Sequence, residues 1–284
     1  MNKVGVVGCG IMGAGIAEVC ARAELDVIVV ESSQEAADAG RARIEASLRR
    51  AEAKGKIQNA AAVLDRVRIV TDLAALADRE IVIEAIVEDE AAKVALFKEL
   101  DRTVTSPEAI LATNTSSIPV IKLARATSRP SHVLGLHFFN PVPVQSLVEV
   151  VPSLLTDAQV AERVRGFARE TLGKHPIDAP DRAGFVVNAL LIPFLLSAIR
   201  MVESGVASAE AIDEGFVRGC AHPQGPLALV DLIGLDTVKA IADTLYEEYK
   251  DPNYAPPPLL ARMVDAGWLG RKTGRGFYQY DKSR

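Results

Sequence analysis

The stretch KVGVVGCGIMGAGIA, residues 3–17, constrains the fold more than any other part of the chain. A β-branched run leads into Gly8, Gly10 and Gly13, and a helix-like pattern follows. GxGxxG spacing alone marks only a glycine-rich turn. Between a strand and a helix it has a physical use. The first glycine makes the tight turn, the second lets the backbone approach a pyrophosphate, and the third lets the helix lie close on the strand. The helix N-terminus then offers amide donors and the positive end of its dipole to the anion. Ala14, Gly15 and Ala17 keep that helix thin, and LDVIVVE forms a second strand ending at Glu31. That acid lies near the ~20-residue offset of a ribose-hydroxyl ligand. The order strand, loop, helix, strand, acid predicts a dinucleotide site. The charge of Glu31 repels a 2′-phosphate, so NAD is expected rather than NADP.

Strand-like runs recur at 80–86 (EIVIEAI), 109–114 (AILATN) and 133–139 (VLGLHFF), separated by helical patterns in EAAKVALFKELDRTV and PVIKLARAT. This alternation predicts an α/β fold, a mostly parallel Rossmann-type sheet covered by helices. Ligands bind such sheets beyond the carboxyl ends of the strands. Gly10, Glu31, the Glu84–Glu88 segment and the Asn114-Thr115-Ser116-Ser117 cluster all fall there, although that polar cluster could simply cap the helix after it. Beyond GFVVN the strand signal disappears. Residues 185–249 read as helices, with a very apolar one over 185–202 interrupted by Pro193, and DPNYAPPP reads as a loop. The expected division is residues 1–184, an NAD-binding domain, and 185–284, an all-α C-terminal domain. The surplus apolar helices suit either a self-contained core or a homodimer interface.

The stretch GLHFFNPVP places a histidine between a strand and a proline-locked turn. GLHFF and SLVEVV flank NPVPVQ as the arms of a hairpin. Pairing centred on Pro143 sets His137 opposite Glu149, and directly opposed residues have Cβ atoms about 4.5–5.5 Å apart. A carboxylate there would fix the imidazole tautomer and support the imidazolium, turning a core histidine into a base. His175 and His222 sit before prolines in the loop-like KHPIDAP and AHPQGP, His132 follows SRPS, and none of the three is assigned a role.

The net charge of −5 argues against nucleic acid as a partner. Cys9, Cys20 and Cys220 are too few and scattered for a disulfide framework or a metal cluster, and no metal is expected. An apolar strand pattern begins at Val4 in place of a leader, and the run GFVVNALLIPFLLSAI is broken by Asn188, Pro193 and Ser197. A cytoplasmic protein without membrane spans is therefore expected. The helix over 36–56 carries Arg41, Arg43, Arg49, Arg50, Lys54 and Lys56 against Asp38, Glu45 and Glu52. It is either a solvated face or a site for a phosphate-rich ligand.

The glycine motif with the acid at 31, EAIVED, NTSS, GLHFFNPVPV, LVEVV, LGKHP, GFVVN and RKTGRGFYQY occur in an order that resembles the 3-hydroxyacyl-CoA dehydrogenase family. The resemblance spans the chain and is strongest to the branch acting on 3-hydroxybutyryl-CoA. It implies NAD-dependent, reversible oxidation of a (3S)-3-hydroxyacyl-CoA to the 3-oxoacyl-CoA by a dimeric enzyme. By similarity His137 is the base and Glu149 its orienting partner, while Ser116 and Asn188 bond the substrate. Cofactor contacts fall on Gly8, Gly10, Ile11, Met12, Gly13, Glu31, Glu88, Lys93, Ser116, Asn140 and Lys272, and CoA contacts on Ser47 and Lys54. The family's usual Asp after the second strand is Glu31 here, with the same charge and a longer reach. Two rival readings are a related dehydrogenase of a free hydroxy acid, which would make the basic helix incidental, and a non-catalytic NAD- or CoA-binding protein. The second predicts a broken catalytic set, whereas all four residues are present.

Overall fold

Strand β1 (Lys3–Val7) enters the sheet with four consecutive buried residues, as a strand covered on both faces must. The computed structural model describes residues 1–280, and the chain divides into two compact units, Met1–Arg182 and Ala183–Arg284. In the first unit β1 is followed by α1 (Ile11–Arg22), β2 (Asp26–Val30), α2 (Gln34–Ala53), α3 (Ala60–Leu64), β3 (Val67–Val70), β4 (Ile81–Glu84) and α4 (Glu90–Thr103). Then come β5 (Ile110–Thr113), α5 (Val120–Ala124), β6 (Val133–Phe138), β7 (Leu147–Pro152), α6 (Ala158–Gly166) and β8 (His175–Asp178). The strands form an eight-stranded sheet in the order β3-β2-β1-β4-β5-β6-β7-β8. All pairs are parallel except β6–β7. This is the expected Rossmann-type α/β architecture, and strand order reverses between β1 and β4, where such sheets open a ligand crevice.

Several details differ from expectation, and β3, the edge strand beside β2, answers to no strand run read from the sequence. The basic helix begins earlier, where the Ser33 hydroxyl caps Ala36 N–H at 3.2 Å, and stops at Ala53 before Gly55 at φ +65°. KHPIDAP is not all loop: residues 175–178 form the edge strand β8, with Pro176 opposite Val148. Proline lacks a ladder donor, so it reads against a strand in sequence yet is tolerated at an edge.

The second unit contains α7 (Val187–Glu203), α8 (Ala209–Gly219), α9 (Pro226–Ile233), α10 (Leu235–Tyr249) and α11 (Pro258–Asp265) around Leu195, Leu196, Leu227, Val238 and Leu245. Pro193 runs inside α7 and cannot donate to the carbonyl four residues back. That carbonyl, Ala189 C=O, accepts instead from the Tyr254 hydroxyl at 3.3 Å. The terminal RGFYQY segment is fastened to Asp231, whose buried carboxylate accepts from Phe277 N–H, Tyr278 N–H and Tyr280 O–H at 2.9–3.0 Å. No helix among the described residues is long and apolar enough to cross a membrane.

Candidate active site

Gly8 sits at φ +91°, and a Cβ there would fall 2.7 Å from the Ala85 carbonyl oxygen, so neither conformation nor space admits another residue. A Cβ on Gly13 would collide with the Gly8 carbonyl, whereas one on Gly10 would meet nothing within 4 Å. The loop is thus tight against β4 and open toward the outside. Helix α1 starts beside it at Gly10 with no side-chain cap and no acid in its first turn. Ile11 is exposed there and Met12 half-buried. Gly8, Gly10, Glu31 and Ser32 line a cleft of about 880 Å³ whose far wall is Thr71–Ala74, Leu96 and Glu99. Open amides, a positive helix end and an acid at the second strand's tip suit the pyrophosphate and ribose of a dinucleotide. Glu31 accepts from the amide of Cys9 and, at 3.0 Å, from its neighbour Ser32.

Residue His137 leaves β6 in direct register with Glu149 of β7, as the hairpin pattern predicts. Its Nδ1 lies 2.7 Å from Glu149 Oε2, and its Nε2 lies 3.0 Å from Ser116 Oγ. The imidazole is 4 % exposed and Glu149 wholly buried. A carboxylate accepts, so Nδ1 carries the proton and Nε2 is left to accept from the serine hydroxyl. Phe139 stands edge-on to the ring at 4.7 Å.

Ser116 is itself held. Glu88 accepts from Ser116 N–H at 2.9 Å, from the Ser117 hydroxyl at 3.0 Å and from the Thr115 hydroxyl at 2.5 Å. Burial raises the Glu88 carboxyl's pKa, but the charge of Lys93 and these hydrogen bonds more than offset it, leaving the group below its ordinary value. Lys93, 1 % exposed, is 3.3 Å from Glu88 and forms a tight ion pair with Glu84 at the end of β4. Glu84 also accepts from the Thr113 hydroxyl and Ile86 N–H, both at 2.7 Å. The NTSS cluster does not cap the helix after it: α5 starts behind Pro119, and the Val120 and Ile121 amides donate to Asp181. It links a buried ion pair to the imidazole.

Asn140 is exposed on the hairpin turn, after β6 and before a cis Asn140–Pro141 peptide. The turn is pinned by Lys174, whose ammonium donates to Val142 C=O at 2.6 Å and Gln145 C=O at 2.7 Å. Burial, then the charge of Arg22, lower the pKa of that ammonium. On α2, Ser47 is half-buried and Lys54 exposed at the C-terminal end. Arg49 pairs with Glu45 at 2.5 Å, and Arg43 turns to the glycine loop. Asn188 and Lys272 belong to the second unit. Asn188 stands in the first turn of α7, and Lys272 donates to both carboxylate oxygens of Asp236 at 2.6 Å.

The first unit thus assembles His137, Glu149, Ser116, Glu88 and Lys93 into one connected set and brings Glu31 to the glycine loop. Glu84, Thr113 and Lys174 were not assigned from sequence. Glu84 had a readable signal, because a carboxylate within the apolar strand IVIE must find a cation or a donor.

Residues 3–182 match the model for the NAD binding domain of 3-hydroxyacyl-CoA dehydrogenase, and 184–280 match its C-terminal domain. The chain belongs to the 3-hydroxyacyl-CoA dehydrogenase family. It is an NAD-dependent oxidoreductase. A Mycobacterium tuberculosis relative named 3-hydroxybutyryl-CoA dehydrogenase is 57 % identical over 282 residues, 99 % of each chain. The pig mitochondrial hydroxyacyl-coenzyme A dehydrogenase is 41 % identical over 99 % of this chain and 91 % of its own. Among solved structures, FadB2 of M. tuberculosis superposes with a TM-score of 0.98 at 57 % identity, covering 99 % of both chains. The (S)-3-hydroxybutyryl-CoA dehydrogenase PaaH1 of Ralstonia eutropha gives 0.93 at 45 % identity, covering 99 % of this chain and 100 % of its own.

Proposed function

We propose that the protein oxidises (3S)-3-hydroxybutyryl-CoA and close homologues to the 3-oxoacyl-CoA, reversibly, with His137 as general base. The observation that carries this reading is the line Ser116–His137–Glu149. An imidazole fixed by a buried carboxylate presents its acceptor nitrogen to a hydroxyl already in hydrogen-bond contact. NAD, when bound, supplies the hydride acceptor. Nε2 of His137 takes the substrate hydroxyl proton as C3 loses hydride, and Glu149 supports the imidazolium that forms. In reverse the imidazolium returns the proton. Ser116 and Asn188 bond the substrate oxygens. The glycine loop, Glu31, Glu88, Lys93, Ser116, Asn140 and Lys272 hold the cofactor. The names borne by the relatives support a short acyl-CoA as substrate.

An NADH-linked assay across a 3-hydroxyacyl-CoA chain-length series, with the free hydroxy acids as controls, tests the reading. Turnover confined to the free acids would overturn it. If Ser47 and Lys54 hold the CoA phosphates, Lys54→Ala should raise KM for the thioester with little change in kcat, the pattern of lost uniform binding. A kinetically silent Lys54→Glu at low salt would instead make this end of α2 a solvated face.

We further place a functional division at residue 184, a cytoplasmic location, and a homodimer built through residues 185–284. That segment exposes Leu190 at 73 %, with Met201, Val206, Val217 and Leu232 also exposed, more apolar surface than a lone helical unit needs to show. Light scattering at micromolar concentration should read twice the chain mass. A monomer there refutes the interface.

A further inference from the structure

Among the six basic residues at positions 41–56, Arg43 reaches the glycine loop. Helix α2 crosses directly against the glycine loop: a Cβ on Gly40 would stand 2.5 Å from Cys9 Sγ. Three residues further along, Arg43 Nη1 donates to the Cys9 carbonyl at 2.6 Å. On the other side of the same residue, Cys9 N–H donates to Glu31. The Cys9 thiol feels both charges. Burial, then Glu31, push its pKa up, and Arg43 opposes them, for a net value of about 12. A carboxylate and a guanidinium therefore bracket one residue of the glycine loop. Arg43 is exposed, and among the described residues no carboxylate lies within ion-pair distance of it. A guanidinium carries five donors, and one of them is used.

We propose that Arg43 is a cofactor-specificity residue, a phosphate-binding cation beside the adenosine ribose whose preference for a 2′-phosphate is masked by Glu31. The proposal rests on Glu31 as the ribose ligand. With NAD, Glu31 takes the ribose hydroxyls, and Arg43 contributes by holding the loop peptide. A 2′-phosphate would have to stand against the Glu31 carboxylate, and the repulsion outweighs what Arg43 offers. With a neutral residue at position 31, the phosphate would meet the guanidinium and Ser32, donors able to form charge-assisted hydrogen bonds. Specificity would then depend on one charge, with the opposing determinant already in place.

The test is fluorescence titration of NADH and NADPH into the full chain, so that the readout is cofactor affinity independent of turnover. Glu31→Gln keeps an acceptor for the Cys9 amide and removes the charge. It should shift the affinity ratio toward NADPH by about 10–100-fold, the worth of one hydrogen bond to a charged group. Adding Arg43→Gln, which keeps a donor for the Cys9 carbonyl, should abolish most of that shift. Arg43→Lys in the same background should retain part of it, since a point charge binds phosphate without the bidentate fork. If the shift is the same with and without Arg43, the proposal fails while the ribose role of Glu31 stands. If Glu31→Gln leaves both affinities unchanged, both assignments fall.

Discussion

His137→Gln should lower kcat by about 10²–10⁴-fold, the usual worth of one positioned acid–base group, while NADH binding and the far-ultraviolet circular dichroism stay near wild type. The imidazole sits at the end of β6 and is not among the residues lining the cleft at the glycine loop. Glutamine can keep a hydrogen bond to Glu149 but cannot accept a proton at neutral pH. Glu149→Gln should also be costly. It removes the charge that stabilises the imidazolium, and its amide can donate to Nδ1 and so favour the tautomer whose proton lies on Nε2. The double variant decides between a coupled pair and two separate contributions. Groups that act as one unit lose their function once, so the double should be little worse than His137→Gln alone. If the two losses multiply, the 2.7 Å contact is structural and the proposed pairing is wrong. If His137→Gln lowers the melting temperature but spares kcat, the histidine is a core residue.

How far the sequence could reach is clearest in the parts of this site. The opposition of His137 and Glu149 was legible because strand side chains alternate with period two and a proline-rich turn fixes the register. Counting outward from Pro143 pairs the two residues without further knowledge of the fold. Glu31 was legible for a similar reason, standing at a fixed distance behind a motif with strict backbone demands. The Glu84–Lys93–Glu88 network was not. Its members lie on β4, on α4 and in the loop between them, and its purpose depends on Ser116 and Ser117 approaching from the next strand's end. The apolar run IVIE signals that Glu84 turns inward, but nothing in EAIVEDE tells which cation meets it or that Glu88 turns to Ser116. The direction of Arg43 was hidden because a basic helix offers several faces, and only packing of Gly40 on Cys9 selects the one that meets the loop. Pro176 concealed β8 because its missing donor argues locally against a strand, while the edge position that excuses it is a property of the whole sheet.

Removing Lys93 should cause the largest loss of stability available in the first unit outside its apolar core. Lys93→Met leaves Glu84, fully buried, with the Thr113 hydroxyl and the Ile86 amide but no cation. Breaking a buried pair from one side costs about 3–5 kcal/mol, which for a unit of this size corresponds to a fall in melting temperature of roughly 6–20 °C. Glu84→Gln should cost less, because the stranded ammonium still has Glu88 at 3.3 Å. The double variant Lys93→Met with Glu84→Leu should recover part of the loss but not all, since Thr113 and Ile86 are then left without an acceptor. Lys93→Met should also slacken the Ser116 loop, because the charge that helps hold Glu88 ionised is gone. The sign of the accompanying pH effect follows from the depressed Glu88 pKa. Its contribution is present above the ordinary value of 4.5 and is lost as the pH falls through the lower folded value. Without Lys93 the folded pKa moves back toward 4.5, so this group has less stability to lose and the variant's stability should fall less steeply on acidification than wild type's. Urea midpoints measured across the acid range check this. Equal midpoints for Lys93→Met and wild type at neutral pH would mean that water enters to solvate Glu84, and the ion pair would then have no part in holding the loop on His137.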